Sequence, residues 1–101
     1  MIDLHLHTTE SDGRCTPRAL VLAARAAGLT TLSVTDHDTV GALDVVRAAC
    51  AEQGIDWVSG IEITSARGHT DIHVLGYFFD YRSDALLGFL ERQRADRIRR
   101  V

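Results

Sequence analysis

The chain is poor in the residues that would place it outside ordinary globular proteins. It has two cysteines in 101 residues, Cys15 and Cys50, too few for a disulfide scaffold. Each lies in or beside a helical pattern, which suits reduced, inert thiols and a cytoplasmic setting. A single proline and eight glycines exclude fibrous and low-complexity readings. No apolar run reaches transmembrane length, and Asp3 and His5 interrupt the stretch where a signal peptide would need continuous apolar residues, so no membrane association is expected. Basic residues are not in excess: 11 Lys and Arg stand against 14 Asp and Glu, for a net charge of −3. That balance argues against stable DNA binding through bulk electrostatics, although bound divalent cations could still draw an anionic substrate into a pocket.

What remains is a small domain of 46% hydrophobic and 25% charged residues with a patterned chain. Ile2–His7 reads as a strand, and Thr16-Pro17 as a helix start with Thr at the N-cap and Pro behind it. Leu20, Ala23, Ala24 and Ala27 mark that helix's buried stripe, and Gly28 ends it. A second strand is expected over Thr31–Thr35. A second helix follows, capped by Asp38 or Thr39 and running to about Gln53. Asp56–Thr64 is expected as a third strand and Asp71–Phe79 as a fourth, antiparallel to the end of the third across the turn Arg67–Thr70. Ser83 or Asp84 opens a last helix. Alternating strands and helices predict an α/β fold with a parallel sheet.

The polar residues gather where such a sheet would use them. His5 and His7 are two apart on a strand, so their rings share a face roughly 7 Å apart. The turn Thr8–Gly13 then brings Asp12 near them. Asp36-His37-Asp38 follows the second strand, and Glu62 stands alone among Val58, Ile61 and Ile63. An unpaired carboxylate in such a strand is costly, and either a metal ion or a structural arginine partner would remove that cost. His73, framed by Ile72 and Val74, reads by itself as a core histidine. Imidazole with carboxylate suits zinc, manganese or iron.

The ordered runs Asp3-Leu4-His5-Leu6-His7-Thr8 with Ser11-Asp12-Gly13, then Thr35-Asp36-His37-Asp38-Thr39, Gly60-Ile61-Glu62 and Ile72-His73-Val74-Leu75-Gly76-Tyr77 resemble the PHP (polymerase and histidinol phosphatase) superfamily. The resemblance is greatest to its small bacterial nucleotide phosphodiesterases and 5′–3′ exoribonucleases. It implies a distorted (β/α)7 TIM-like barrel with two or three divalent cations, Mn²⁺ foremost and Zn²⁺ or Fe²⁺ as alternatives. Carried over by position, His5, His7 and Glu62 hold one cation, Glu62 bridges to a second with His73, and Asp12 with His37 holds a third. Glu62 and His37 are the expected catalytic residues, and Asp3, Asp36 and Asp38 are expected to orient the ligands from behind. The family's remaining ligands come from a later histidine and a C-terminal Asp-x-His pair, so residues 1–101 are expected to be the N-terminal part of one barrel domain, less stable and less active alone.

The arginine-rich stretch Glu91–Arg100 fits a solvated helix face with Leu87, Leu90, Arg94, Ile98 and Val101 along the inward stripe. Arg94 and Arg97 are its candidates for phosphate contact. Ser11 and Cys15 have no free base beside them once the histidines bind metal, so no covalent nucleophile is expected. The expected activity is metal-dependent hydrolysis of a phosphate ester of a nucleotide or a short RNA. A histidinol-phosphatase-like phosphomonoesterase and a non-catalytic metal-binding or interaction domain are the alternatives.

Overall fold

A computed structural model describes residues 1–67 and 70–100, with side chains given outside 65–71 and 96–100. Elements alternate as expected: β1 (Ile2–Leu6), α1 (Pro17–Ala26), β2 (Thr31–Val34), α2 (Leu43–Gln53), β3 (Asp56–Trp57), β4 (Gly60–Arg67), β5 (Thr70–Tyr77) and α3 (Asp84–Arg100). β1, β2 and β3 form a parallel sheet in that order, and β4 and β5 form an antiparallel hairpin. The chain is therefore mixed α/β.

The core lies between the parallel sheet and the first two helices. Leu32 and Val34 of β2 meet Val21 and Ala24 of α1 and Leu43, Val46, Ala49 and Cys50 of α2, all buried. The stripe on α1 is turned from the expected one, with Val21 and Ala24 inward while Ala23 and Ala27 face solvent. The start of α1 matches the sequence reading, since Thr16 Oγ1 accepts from the Ala19 amide and Pro17 opens the helix. Helix α2 begins later than expected, after Ala42 and without a side-chain cap. Neither Asp38 nor Thr39 caps it. Asp38 is in the left-handed region at φ 53° and belongs to the strand ends, while Thr39 Oγ1 accepts from the Gly41 amide in a local turn.

The single strand expected over Asp56–Thr64 is divided in two. Ser59 turns aside to β5: its hydroxyl donates to the Phe79 carbonyl, and its carbonyl accepts from the Phe78 amide. The path beside β2 nevertheless continues. The Val58 amide donates to Leu32 and the Glu62 amide donates to Asp36, so His37 and Glu62 pair in parallel beyond the end of β2. Glu62 is thus the third residue of β4 rather than near a strand end, yet it still lies beside the C-terminal end of β2.

Gly60 makes this passage possible. A methyl group at its Cβ position would overlap Ser33 Oγ and stand 2.8 Å from Thr35 Cγ2. Both neighbours are buried, so there is no space for them to yield. Gly60→Ala is expected to destabilise the chain by about 1–3 kcal/mol through overpacking. Urea denaturation checks this as a lower midpoint with an unchanged slope.

Candidate metal centre

Three loop or strand ends deliver the site. In β1 the register slips: Asp3 pairs with Leu32 and Leu6 with Val34, so the first strand carries one residue more than the second. This bulge frees backbone groups that specific side chains then satisfy. Asp3 Oδ1 accepts from the His5 amide at 3.0 Å, and Tyr77 Oη donates to the Leu4 carbonyl at 2.6 Å. Bulges commonly re-aim side chains next to functional sites. Here His5 and His7 converge, with ring centroids 5.1 Å apart.

Glu62 is the hub. Its side chain is only 7% exposed, and its two oxygens address different imidazoles. Oε1 lies 2.8 Å from His5 Nε2 and 3.2 Å from His7 Nε2. Oε2 lies 3.0 Å from His73 Nδ1 and 3.6 Å from His37 Nδ1. Asp12 repeats the division at the mouth of the site, with Oδ1 3.1 Å from His7 Nδ1 and Oδ2 3.1 Å from His37 Nε2. All six sequence-predicted ligands therefore come together. They form three overlapping triads, His5–His7–Glu62, His7–Asp12–His37 and His37–Glu62–His73, each with donor atoms within 4.8 Å of one another.

This donor set fits divalent cations. Neutral imidazoles and carboxylates in groups of three are the usual ligands of zinc and manganese. His7 Nδ1 is buried and makes no hydrogen bond, although Asp12 Oδ1 is 3.1 Å away. Two donor atoms that close without a hydrogen bond between them are arranged as ligands around an ion are.

The supporting acids act mainly on backbone and hydroxyl groups. Buried Asp36 accepts from the Thr8 amide at 2.6 Å, the Thr8 hydroxyl at 2.7 Å and the Ser11 hydroxyl at 2.8 Å, which fixes the turn that carries Asp12. Asp38 Oδ1 accepts from the Thr64 amide, and the Asp38 amide donates to the Glu62 carbonyl. The left-handed Asp38 is thereby tied to β4 on both sides, which holds its neighbour His37 over Glu62.

Several contributors carry no motif signal. Thr64 Oγ1 lies 3.2 Å from His37 Nδ1 and 3.0 Å from His73 Nδ1. In the β4–β5 register Thr64 faces His73, and Glu62 is two residues along the same face. Only the pairing of two strands reveals this, whereas Tyr77 lies within a quoted motif without a visible role. Arg94, a candidate for phosphate contact, has a structural engagement: its Nη1 donates to the Asp38 carbonyl at 2.7 Å. Gln93 beside it donates to the Thr64 carbonyl at 3.2 Å. The side chain of Arg97 and all of His69 lie outside the described residues.

The acids are held in the charged form. Burial works against charge on Glu62, but the hydrogen bond from His5 and the charges of His37, His5 and His7 outweigh it and hold the carboxyl below its ordinary value. For Asp12 the desolvation is likewise outweighed by His37 and His7. Both folded-state values lie below the unfolded ones. The stability they contribute is therefore present above the ordinary carboxylate range and is lost as pH falls through the depressed values. In chelator, the melting temperature is expected to fall as pH drops below about 4, and Glu62→Gln should flatten that fall. Thermal unfolding between about pH 6 and pH 3 measures both.

Comparison with known proteins places this geometry in a family. The PHP domain model matches residues 3–97. A 5′-3′ exoribonuclease of Haemophilus influenzae is 38% identical over 99 residues, covering 98% of this chain and 36% of that protein. A 3′,5′-nucleoside bisphosphate phosphatase of Chromobacterium violaceum is 36% identical over 100 residues, covering 99% of this chain and 35% of that protein. The solved structure of an amidohydrolase from Chromobacterium violaceum, with bound sulfate and no metal, superposes with a TM-score of 0.90 at 36% identity, over 98% of this chain and 35% of that one. The chain thus spans about a third of the length of these relatives. Matched along nearly all its residues, the chain belongs to the PHP domain family.

Proposed function

We propose that this chain carries the metal-binding part of a phosphoesterase that hydrolyses phosphate esters of nucleotides or RNA 5′ ends. The observation that carries the reading is the division of Glu62, one oxygen toward His5 and His7 and the other toward His37 and His73. Divalent cations held by His5, His7, Asp12, His37, Glu62 and His73 supply Lewis acidity toward phosphoryl oxygens and a nucleophile at neutral pH. Mn²⁺ is the leading candidate on the family resemblance, with Zn²⁺ or Fe²⁺ as alternatives, and imidazole nitrogen with carboxylate oxygen and no thiolate is compatible with all three. Glu62 keeps the two poles of the site in one frame, and Asp36 and Asp38 fix the turns that carry Asp12 and His37. Among the described residues, two possible nucleophiles are held away from covalent chemistry. Ser11 is tied to Asp36, and burial pushes the Cys50 thiol up to about 11.

Substrate class rests on the relatives, whose names specify RNA and nucleoside bisphosphates. We further infer that residues 1–101 form the N-terminal part of one (β/α)7 barrel, in line with the one-third coverage. The two free cysteines suit a cytoplasmic setting. Among the described residues no helix is long and apolar enough to cross a membrane. The name of the superposed amidohydrolase makes amide hydrolysis the alternative chemistry.

A substrate panel in Mn²⁺ or in EDTA tests the reading, with the Chromobacterium phosphatase run in parallel. It contains a nucleoside 3′,5′-bisphosphate, a 5′-phosphorylated oligoribonucleotide, histidinol phosphate and an amide. Mn²⁺-dependent release of phosphate or nucleotide is expected, slower than in the longer relative. Turnover confined to the amide, or unchanged in EDTA, would sink the proposal.

Glu62→Gln keeps the side chain's shape but removes the charge shared by both poles. It is expected to lower metal stoichiometry and reduce turnover by on the order of 10²-fold or more, as misplacement of reacting groups commonly does. Elemental analysis and initial rates on the variant check this. Full stoichiometry and rate with a lowered melting temperature would instead assign Glu62 to folding.

A further inference from the structure

Helix α3 brings one buried apolar residue and two donors together on a single turn. Leu90 is 1% exposed, and Gln93 and Arg94 follow it three and four positions on, on the same helix face. With Leu90 as the anchor, the two donors reach separate segments of main chain. Gln93 Nε2 donates to the Thr64 carbonyl of β4 at 3.2 Å, and Arg94 Nη1 donates to the Asp38 carbonyl at 2.7 Å.

Those two segments are also bonded to each other. The Asp38 amide donates to the Glu62 carbonyl at 2.9 Å, and Asp38 Oδ1 accepts from the Thr64 amide at 3.0 Å. Asp38 is fully buried and left-handed at φ 53°, a conformation that a residue other than glycine keeps only where its surroundings hold it. Helix α3 therefore closes a ring of hydrogen bonds around the stretch that carries His37. Thr64 pairs with His73 in the hairpin, so the same ring steadies the strand opposite His73. His5 and His7 have a different support, Asp3 and Tyr77 at the bulge of β1.

The charge of Arg94 makes its role separable by sign. A guanidinium near bound cations repels them, so a purely electrostatic part predicts tighter cation binding once the charge is removed. A phosphate contact predicts no change. A group that holds a ligand in place predicts weaker binding.

We propose that Arg94, backed by Gln93, is a positioning residue that holds the His37–His73 half of the cation site and not the His5–His7 half. The consequence for cations rests on the metal-centre reading above. The hold on Asp38 and Thr64 does not.

The test uses the full chain, with Zn²⁺ affinity measured by calorimetry in two backgrounds. His5→Ala leaves the two triads that contain His37, and His37→Ala leaves His5–His7–Glu62. Arg94→Met added to His5→Ala should weaken binding about 10-fold or more, and added to His37→Ala should change it by less than about 3-fold. Equal weakening in both backgrounds would make Arg94 a general support of the fold and overturn the proposal. Tighter or unchanged binding in His5→Ala would overturn it in favour of a charge effect or a phosphate contact. Should Arg94→Met not fold, Gln93→Leu is read for the same loss confined to His5→Ala, and its absence there overturns the proposal.

Amide hydrogen exchange in chelator tests the hold without any cation. In Arg94→Met the Asp38 and Thr64 amides should exchange about 10-fold or more faster, while the Thr35 amide, which donates to Leu6, keeps its parent rate. Unchanged exchange at Asp38 and Thr64, or equal acceleration at all three, would overturn the proposal. A parent chain that binds no Zn²⁺ would defeat the metal-centre reading, and the exchange rates would still decide whether α3 holds this segment.

Discussion

A buried carboxylate is stable only where its surroundings hold its charge, and in this chain the surroundings of Glu62 are the site. Four imidazoles from three separate segments reach its two oxygens. It is nearly sealed from solvent, so the burial penalty is real, and the histidine charges and hydrogen bond that offset it come only from the assembled fold. The same backbone that carries this carboxylate exchanges hydrogen bonds with Asp36 and Asp38, so Glu62 also locks β4 against the end of β2. Site and sheet are therefore one construction. A metal ion would strengthen it by replacing proton-mediated contacts with ligand bonds.

The irregular positions matter more to function than the regular ones. A bulge in β1 aims His5 and His7, a left-handed Asp38 turns His37 inward, and a break at Ser59 lets β4 leave the sheet with Glu62 as its third residue. The departures free backbone groups that named side chains answer: Asp3 and Tyr77 at the bulge, Arg94 at the Asp38 carbonyl, Asp38 at the Thr64 amide, and Ser59 at the Phe79 amide and carbonyl. Helix α3 takes part through Gln93 and Arg94, whose donors reach main-chain carbonyls on both sides of the His37–Thr64 contact. An arginine in a basic stretch thus serves as a clasp, and its position along the helix accounts for it better than its charge does.

The element order, the α/β class and the candidates His5, His7, Asp12, His37 and Glu62 were legible in the sequence because they depend on local rules, whereas His73 joined them only through the family resemblance. Strand alternation, the Thr16-Pro17 cap, the Gly28 stop and the two-residue spacing of His5 and His7 are all set within a few residues. The cost of a lone carboxylate among Ile61 and Ile63 likewise marked Glu62 before any partner was known. Tertiary structure decided the rest, because those features depend on residues far apart in the chain. The delayed start of α2 follows from Asp38 bonding to β4, and the division of the third strand follows from Ser59 bonding to Phe79. The place of Thr64 between two imidazoles follows from strand register, and which oxygen of Glu62 faces which ring follows from three chain segments closing at once. The sequence by itself marked five side chains as candidates for a cation, and the family resemblance added His73. Only the fold decided how they face one another, since hydrogen bonds and ion pairs between distant segments have no periodicity to read.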